Sequence, residues 1–254
     1  MIGLIRSEWI KVTSTKYWWI MILIGMVLTA LATLPILLLG SLAAEEEIPE
    51  LDFANALVMG QLWSGMGSAT VIALIIGILS FTGEYRHGTI TDTFLTEPRR
   101  GRVIAAKAIV NAVLGVALAV MTAVTVVLLA LWLLPEGHAP IDWGGVGGVL
   151  LATMLTYALY AILGVSVGAL ITQQVAAVVL GILWVLLIEG LVAAIRPEVG
   201  RWLPGGAAQS ILGAPNGGLN VDLLAPPLAV VVLLAYTVAL AAVAGATTLR
   251  RDIT

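Results

Sequence analysis

The 254-residue chain contains no cysteine, and only 11% of its residues are charged. Without a thiol there is no disulfide, no thiolate metal site and no cysteine nucleophile. A soluble domain carries about 25% charged and about 45–50% apolar residues. Here 60% are hydrophobic and mean hydropathy is +1.07, more apolar surface than one soluble globule can hide. A basic surplus is also missing: 12 Lys+Arg against 15 Asp+Glu leave a net charge of −3. No nucleic-acid partner is therefore expected. No G-x-x-x-x-G-K-[S/T] loop occurs, so the chain cannot cradle ATP by that device. No metal site, bound cofactor or catalytic residue is expected.

What the chain has in abundance is apolar runs. Crossing hydrocarbon ~30 Å thick takes about 20 such residues in a helix. Six stretches qualify: 18–42, 62–81, 108–134, 146–171, 175–195 and 227–247. They lack the strict alternation of barrel strands, and in lipid only helices or closed barrels satisfy the backbone. The expected fold is an all-α integral membrane protein of six transmembrane helices, a single domain over 1–254. The run before Ser41-Leu42-Ala43 exceeds the roughly 7–15 apolar residues of a signal peptide. It reads as a retained first helix, kinked at Pro35.

Charge sets the orientation. Arg6, Lys11 and Lys16 precede the first helix; Arg86, Arg99, Arg100, Arg102 and Lys107 follow the second; Arg250 and Arg251 end the chain. With six crossings, all ten lie on one side. The other side holds Arg196 and Arg201, against Glu45, Glu46, Glu47, Glu50 and Asp52. Both termini are thus expected in the cytoplasm.

Two polar segments carry more than topology. In 1–16, helical spacing puts Ile2, Ile5, Trp9 and Val12 on one stripe and Glu8, Lys11 and Thr15 opposite. An interfacial helix of this kind anchors to the membrane surface with Trp9 at headgroup depth, or serves as a lever for a cytoplasmic partner. In the second segment, 83–107, Gly88 interrupts a helix leaving the membrane. Thr89 and Asp92 approximate a capping box, and Pro98 marks a stop. A helix of about two turns fits between them, with Ile90 and Phe94 sharing an apolar ridge suited to docking another protein. Arg99, Arg100 and Arg102 could serve topology alone; Glu84, Gly88 and the ridge could not.

On these residues the chain resembles the membrane-spanning subunits of ABC-2-type ATP-binding-cassette transporters. The resemblance rests on Glu84, Gly88-Thr89, Pro98-Arg99-Arg100 and Lys107, on Glu8 and Lys11 before Lys16-Tyr17-Trp18-Trp19, and on Leu203-Pro204. It implies a prokaryotic cytoplasmic-membrane permease, an exporter, whose path forms between two permease copies, identical or homologous. It further implies two copies of a separate cassette ATPase, which would hold the ATP and Mg. The coupling interface would comprise Glu84, Tyr85, Arg86, Gly88, Thr89, Ile90, Asp92, Phe94, Pro98 and Arg99. The 1–16 helix would contribute Ile5, Glu8, Trp9 and Lys11. The 196–226 segment would form an external, re-entrant loop.

Other patterns compete. Gly164-Val165-Ser166-Val167-Gly168 matches a hydrolase elbow, but it lies within a helix, and the only histidines, His87 and His138, fall in loops on opposite sides. Packing between helices explains Gly164 and Gly168 better. The cluster of Gly144, Gly145, Gly147 and Gly148 is read as turning and close packing. Asn111 is expected to hydrogen-bond between helices. Glu189 is the one acid well inside a predicted span; a charge at mid-bilayer costs about 2.5–3.5 kcal/mol on insertion scales. Pairing with Arg196, two turns on, or snorkelling is the expected relief. The competing function is an ion-coupled carrier or channel-like protein without an ATPase, for which Glu189 would be indispensable. With so little charge inside the bundle, apolar walls suit lipid-like or amphipathic cargo.

Overall fold

A computed structural model describes residues 1–45, 56–133, 143–213 and 223–250. Glu46, Glu47, Glu50, Asp52, His138 and Arg251 lie outside them. The described residues form helices joined by short turns, with no strand among them. Helix α1 (Ile2–Thr13) leads into α2 (Tyr17–Glu45), which contains Pro35. The second span is composite: α3 (Ala56–Ser64), a 3-10 turn (Gly65–Gly67) and α4 (Thr70–Arg86). After α5 (Ile90–Thr96) come α6 (Arg100–Leu133) and α7 (Trp143–Leu170). The fifth span joins α8 (Gln174–Leu183), a π-turn (Trp184–Ile188) and α9 (Glu189–Ile195). Two short helices, α10 (Pro197–Gly200) and α11 (Pro204–Leu212), precede α12 (Pro226–Arg250).

Among the described residues, six helices are long and apolar enough to cross a membrane: Tyr17–Leu39, Gly60–Arg86, Arg100–Leu133, Val146–Leu170, Gln174–Ile195 and Pro226–Ala246. Two boundaries differ from expectation. The second helix continues past Phe81 to Arg86, and the third begins at Arg100, not Ala108. Arg and Lys are good helix formers, and charge at these ends disguises helix as loop. The non-helical stretch between them reduces to the turns flanking α5.

The core is built on α7, which packs most extensively against α4 and α6. Glycine makes that approach possible. A Cβ on Gly77 would strike the Ala161 carbonyl, and one on Gly164 the Leu74 carbonyl. Gly168 faces Ile78 and Phe81, and Gly115 faces the Tyr157 backbone. The G-x-x-x-G of α7 is thus a packing seam; its Ser166 hydroxyl donates to the Ile162 carbonyl within the same helix. Gly147 and Gly148 meet nothing within 4 Å, which corrects the expectation of close packing there.

The break in the second span is splinted by one side chain. Tyr157 Oη donates to the Met66 carbonyl at 2.7 Å and accepts from the Ala69 amide at 2.8 Å. Interrupted helix leaves unpaired backbone groups, which are costly in lipid unless a neighbour satisfies them; the phenol satisfies one of each kind. Gly164→Leu should force α4 and α7 apart and cost about 3 kcal/mol. Ser166→Ala should cost no more than about 1 kcal/mol. Thermal unfolding in detergent compares the two, and an equal loss from both would contradict the seam.

Candidate functional site

At the end of the bundle where α1, α4, α5 and α6 meet, four charges come together: Glu8, Glu84 and Lys107 are buried, and Lys11 is half-buried. Lys107, 1% exposed, lies two turns inside α6. Its Nζ donates to Glu8 Oε2 and to Glu84 Oε1, each at 2.6 Å, and to the Ser80 carbonyl at 3.3 Å. Lys11 Nζ donates to the same two acids, Glu8 Oε1 at 2.7 Å and Glu84 Oε1 at 2.8 Å, and to Thr93 Oγ1 at 3.1 Å. Thr93 Oγ1 lies 3.1 Å from Glu84 Oε2, to which it donates. Each ammonium therefore uses all three of its donors, and two carboxylates balance two cations.

Such a node forms because no member is tolerable without the others. A buried charge is costly unless paired and hydrogen-bonded, and here the partners come from four helices. Asn111 extends the polar seam: its Nδ2 donates to Ser80 Oγ on α4 and to the Lys107 carbonyl.

Local sequence positions α5 over the node. Gly88, at φ +70°, ends α4 in a left-handed turn. The Thr89 amide donates to the Glu84 carbonyl at 3.0 Å and the Gly88 amide to the Tyr85 carbonyl at 3.3 Å, the paired bonds of a Schellman motif. Thr89 is the N-cap of α5 but makes no side-chain cap bond, and Asp92 is exposed. The capping box drawn from the sequence is therefore absent. At the other end Arg102 pairs with Glu97 at 2.9 Å, and the Arg100 guanidinium lies over the Phe94 ring, 5.0 Å from its centroid.

The ridge of α5 points inward. Ile90 and Phe94 are buried with Val103, against Leu4 and Tyr85. The face turned outward carries Thr91, Asp92, Thr96 and Leu95, which is 76% exposed. Arg86, His87, Gly88, Pro98 and Arg99 flank it and are exposed. Two residues that sequence spacing offered to a partner thus hold α5 to its own bundle, because burying them satisfies the hydrophobic contact locally. On helix α1 the correction concerns Glu8 alone. Glu8 and Val12 are its buried residues, whereas Ile2 and Trp9 are exposed. Ile5 is half-buried against the main core. The Glu8 side, expected to be outermost, faces Lys107.

Glu189 sits elsewhere, toward the opposite end. It is buried, and its partners are Trp184 and the Gly205 amide. Arg196, its expected partner, is exposed. Sequence reading did not single out Ser80, Thr93, Trp184 or Gly205. For Thr93 the usable signal was its position one helical turn from Thr89 on the Ile90–Phe94 side of α5.

Lys11 lies outside the spans. Burial alone would lower its pKa, but hydrogen bonds and charge from Glu8 and Glu84 outweigh this and hold it above the ordinary 10.5. A folded pKa above the unfolded one gives stabilisation that is complete below the unfolded value and lost as pH rises through the folded one. The stability gap between wild type and Lys11→Met should stay constant up to about pH 10.5 and close only above it, as melting in detergent at stepped pH will record. Lys107→Met should cost more, about 3–5 kcal/mol, since it strips the best-buried cation from two acids. Equal losses from the two variants would contradict the ranking.

The match to known families agrees with this architecture. No curated protein matches the chain. Residues 4–193 match the family described as ABC-2 family transporter protein. That region runs from α1 through α9 and includes every member of the node. Six apolar helices, a charged node joining the ends of spans two and three, and this match over most of the chain lead to one conclusion: the protein is a multi-pass membrane permease subunit that belongs to the ABC-2 transporter family.

Proposed function

We propose that the chain forms the membrane half of an exporter. In this reading two permease copies enclose the route, and a separate cassette ATPase works from the side bearing the four-charge node. Both termini lie on that side, the cytoplasm of a prokaryotic cell. Excess Lys and Arg there supports the placement. ATP and Mg belong to the ATPase, and this chain contributes no chemistry.

The observation that carries the reading is the node itself. Thr93 of α5 is hydrogen-bonded to Glu84, and Glu84 to Lys107 of α6 and Lys11 of α1. A displacement of α5 cannot leave those three helices behind without breaking the hydrogen bonds of Thr93 to Glu84 and Lys11. ATP binding biases two conformations only through contacts that differ between them, and the outward face of α5 is the contact proposed. Glu84, Gly88, Ile90 and Phe94 then act by shaping and holding α5, while Thr91, Asp92 and Leu95 meet the ATPase. Tyr85 belongs to the first group, packing against Phe81 and beside the ridge. Arg86, Thr89, Pro98 and Arg99 frame the contact. Cargo of lipid-like or amphipathic character fits a bundle whose buried charges lie at its ends rather than along a path. An ion-coupled carrier finds less support, since both Glu189 oxygens already have donors.

Leu95→Asp should cut co-purification of the ATPase roughly tenfold, as expected for the loss of one central interface contact. Membrane insertion and melting temperature should be unchanged. Phe94→Ala should instead lower the melting temperature, since it empties a buried site. Full ATP-driven transport in vesicles by Leu95→Asp, or transport by the chain with no ATPase present, would overturn the reading.

A further inference from the structure

The fifth span carries a feature that its function as a membrane crossing does not require. A π-turn at Trp184–Ile188 interrupts the helix, and none of its five residues is buried. Directly after it stands Glu189, one of the few buried acids. Trp184 Nε1 donates to Glu189 Oε1 at 2.6 Å. In an α-helix of 3.6 residues per turn, residues five apart point about 140° away from each other. In a π-turn, whose bonds run i to i+5, they stack. The indole–carboxylate bond therefore depends on the π register.

The other carboxylate oxygen reaches across to the short helices that follow. Glu189 Oε2 accepts from the Gly205 amide, in the first turn of α11. That amide has no partner within its own helix, and the positive end of a helix dipole favours a carboxylate there. The fit is close at three glycines. A Cβ on Gly205 would strike Glu189 Oε2, one on Gly206 the Gly200 carbonyl, and one on Gly200 the Ala193 backbone. Helices α10 and α11 are thereby seated on α9. Leu212 of α11 in turn reaches Gly67, in the break of the second span. This cap lies at the end of the bundle away from the node.

We propose that Glu189 is the positioning residue that holds this cap, and that the π-turn is the element whose register engages or releases it. Annealing of the π-turn into α-helix swings Glu189 away from Trp184 and off the α11 amide. Of the five side chains in the turn only Val185 packs, partly buried, against the core, so the change of register disturbs little packing there. In the permease reading, on which this inference rests, releasing the cap opens the end of the route opposite the ATPase. Glu189 handles no cargo and transfers no proton in this scheme.

Two variants give opposite expectations. Glu189→Gln removes the charge while keeping the size, and should raise amide exchange across 203–213 roughly tenfold, the loss of one charge-assisted bond. Deleting Leu186 removes the residue that creates the π-turn. Trp184 and the glutamate then stand four apart in α-helix and still meet, so the cap should exchange no faster than in wild type. Both variants should lose transport, the first because the cap is loose and the second because it is fixed. Hydrogen exchange by mass spectrometry on the full chain in lipid nanodiscs, without any ATPase, reads the cap directly. It thus stands or falls apart from the permease reading, which the transport assay tests. Trp184→Phe, a milder change, should loosen the same segment if Glu189→Gln fails to insert. The inference is overturned if exchange at 203–213 is unchanged in both substitutions. It is equally overturned if the rise spreads evenly over α4 and α7, or if deleting Leu186 loosens the cap as much as Glu189→Gln.

Discussion

A charge inside an apolar bundle must bring its counter-charge with it, and that constraint organises one end of this protein. Glu8, Lys11, Glu84 and Lys107 come from positions far apart in sequence. The three that are buried, Glu8, Glu84 and Lys107, would be intolerable there unpaired, and half-buried Lys11 completes the balance. Their mutual bonds fix α1 along the membrane helices, set the level at which α4 ends and bind α5 through Thr93. The apolar contacts of Ile90, Phe94 and Val103 then fill the space beside the node. In this sense electrostatics selects the arrangement, and hydrophobic packing makes it tight.

The rest of the bundle follows a different rule. Lipid offers no drive for apolar side chains to leave it, so helices associate through close fit and shared hydrogen bonds. Gly77, Gly115, Gly164 and Gly168 provide the fit. Tyr157, Asn111 and Glu189 provide the bonds, each tying one element to backbone or hydroxyl groups of another. The two ends of the molecule thus differ in kind. One is closed by paired charges. The other is closed by a lone carboxylate resting on a helix terminus, an arrangement that needs no cation and yields when its geometry changes.

Much of this was legible in the residues. Apolar length alone locates six crossings, because hydrocarbon thickness is a fixed measure. Glu84, Gly88 and Lys107 could be singled out, since charge and glycine at the end of an apolar run need explanation. What could not be read was direction. Ile90 and Phe94 share a face by spacing, but spacing does not say whether that face meets a partner or α1. Glu8 looks like a surface residue until Lys107 is placed beside it. The helix ends at Arg86 and Arg100 were misjudged for another reason: polarity was taken as loop, whereas Arg and Lys continue a helix well. Glu189 was matched to Arg196 by proximity along the chain, while its true donor waits sixteen residues on, beyond a turn that sequence does not announce.

The phenol of Tyr157 that bridges the interruption at Gly65–Gly67 has a mechanical meaning. A continuous helix transmits a tilt along its whole length, but a hinged rod does not. Below the interruption, α4 is fastened to α7 by its glycine seam, and above it Leu62 and Trp63 of α3 pack into a separate cluster with Leu37, Val126 and Val146. Force arriving at the Arg86 end is therefore carried sideways into the fourth crossing before it can reach the outer portion of the second. Two crossings, rather than one, form the stiff member that any displacement at that end must move.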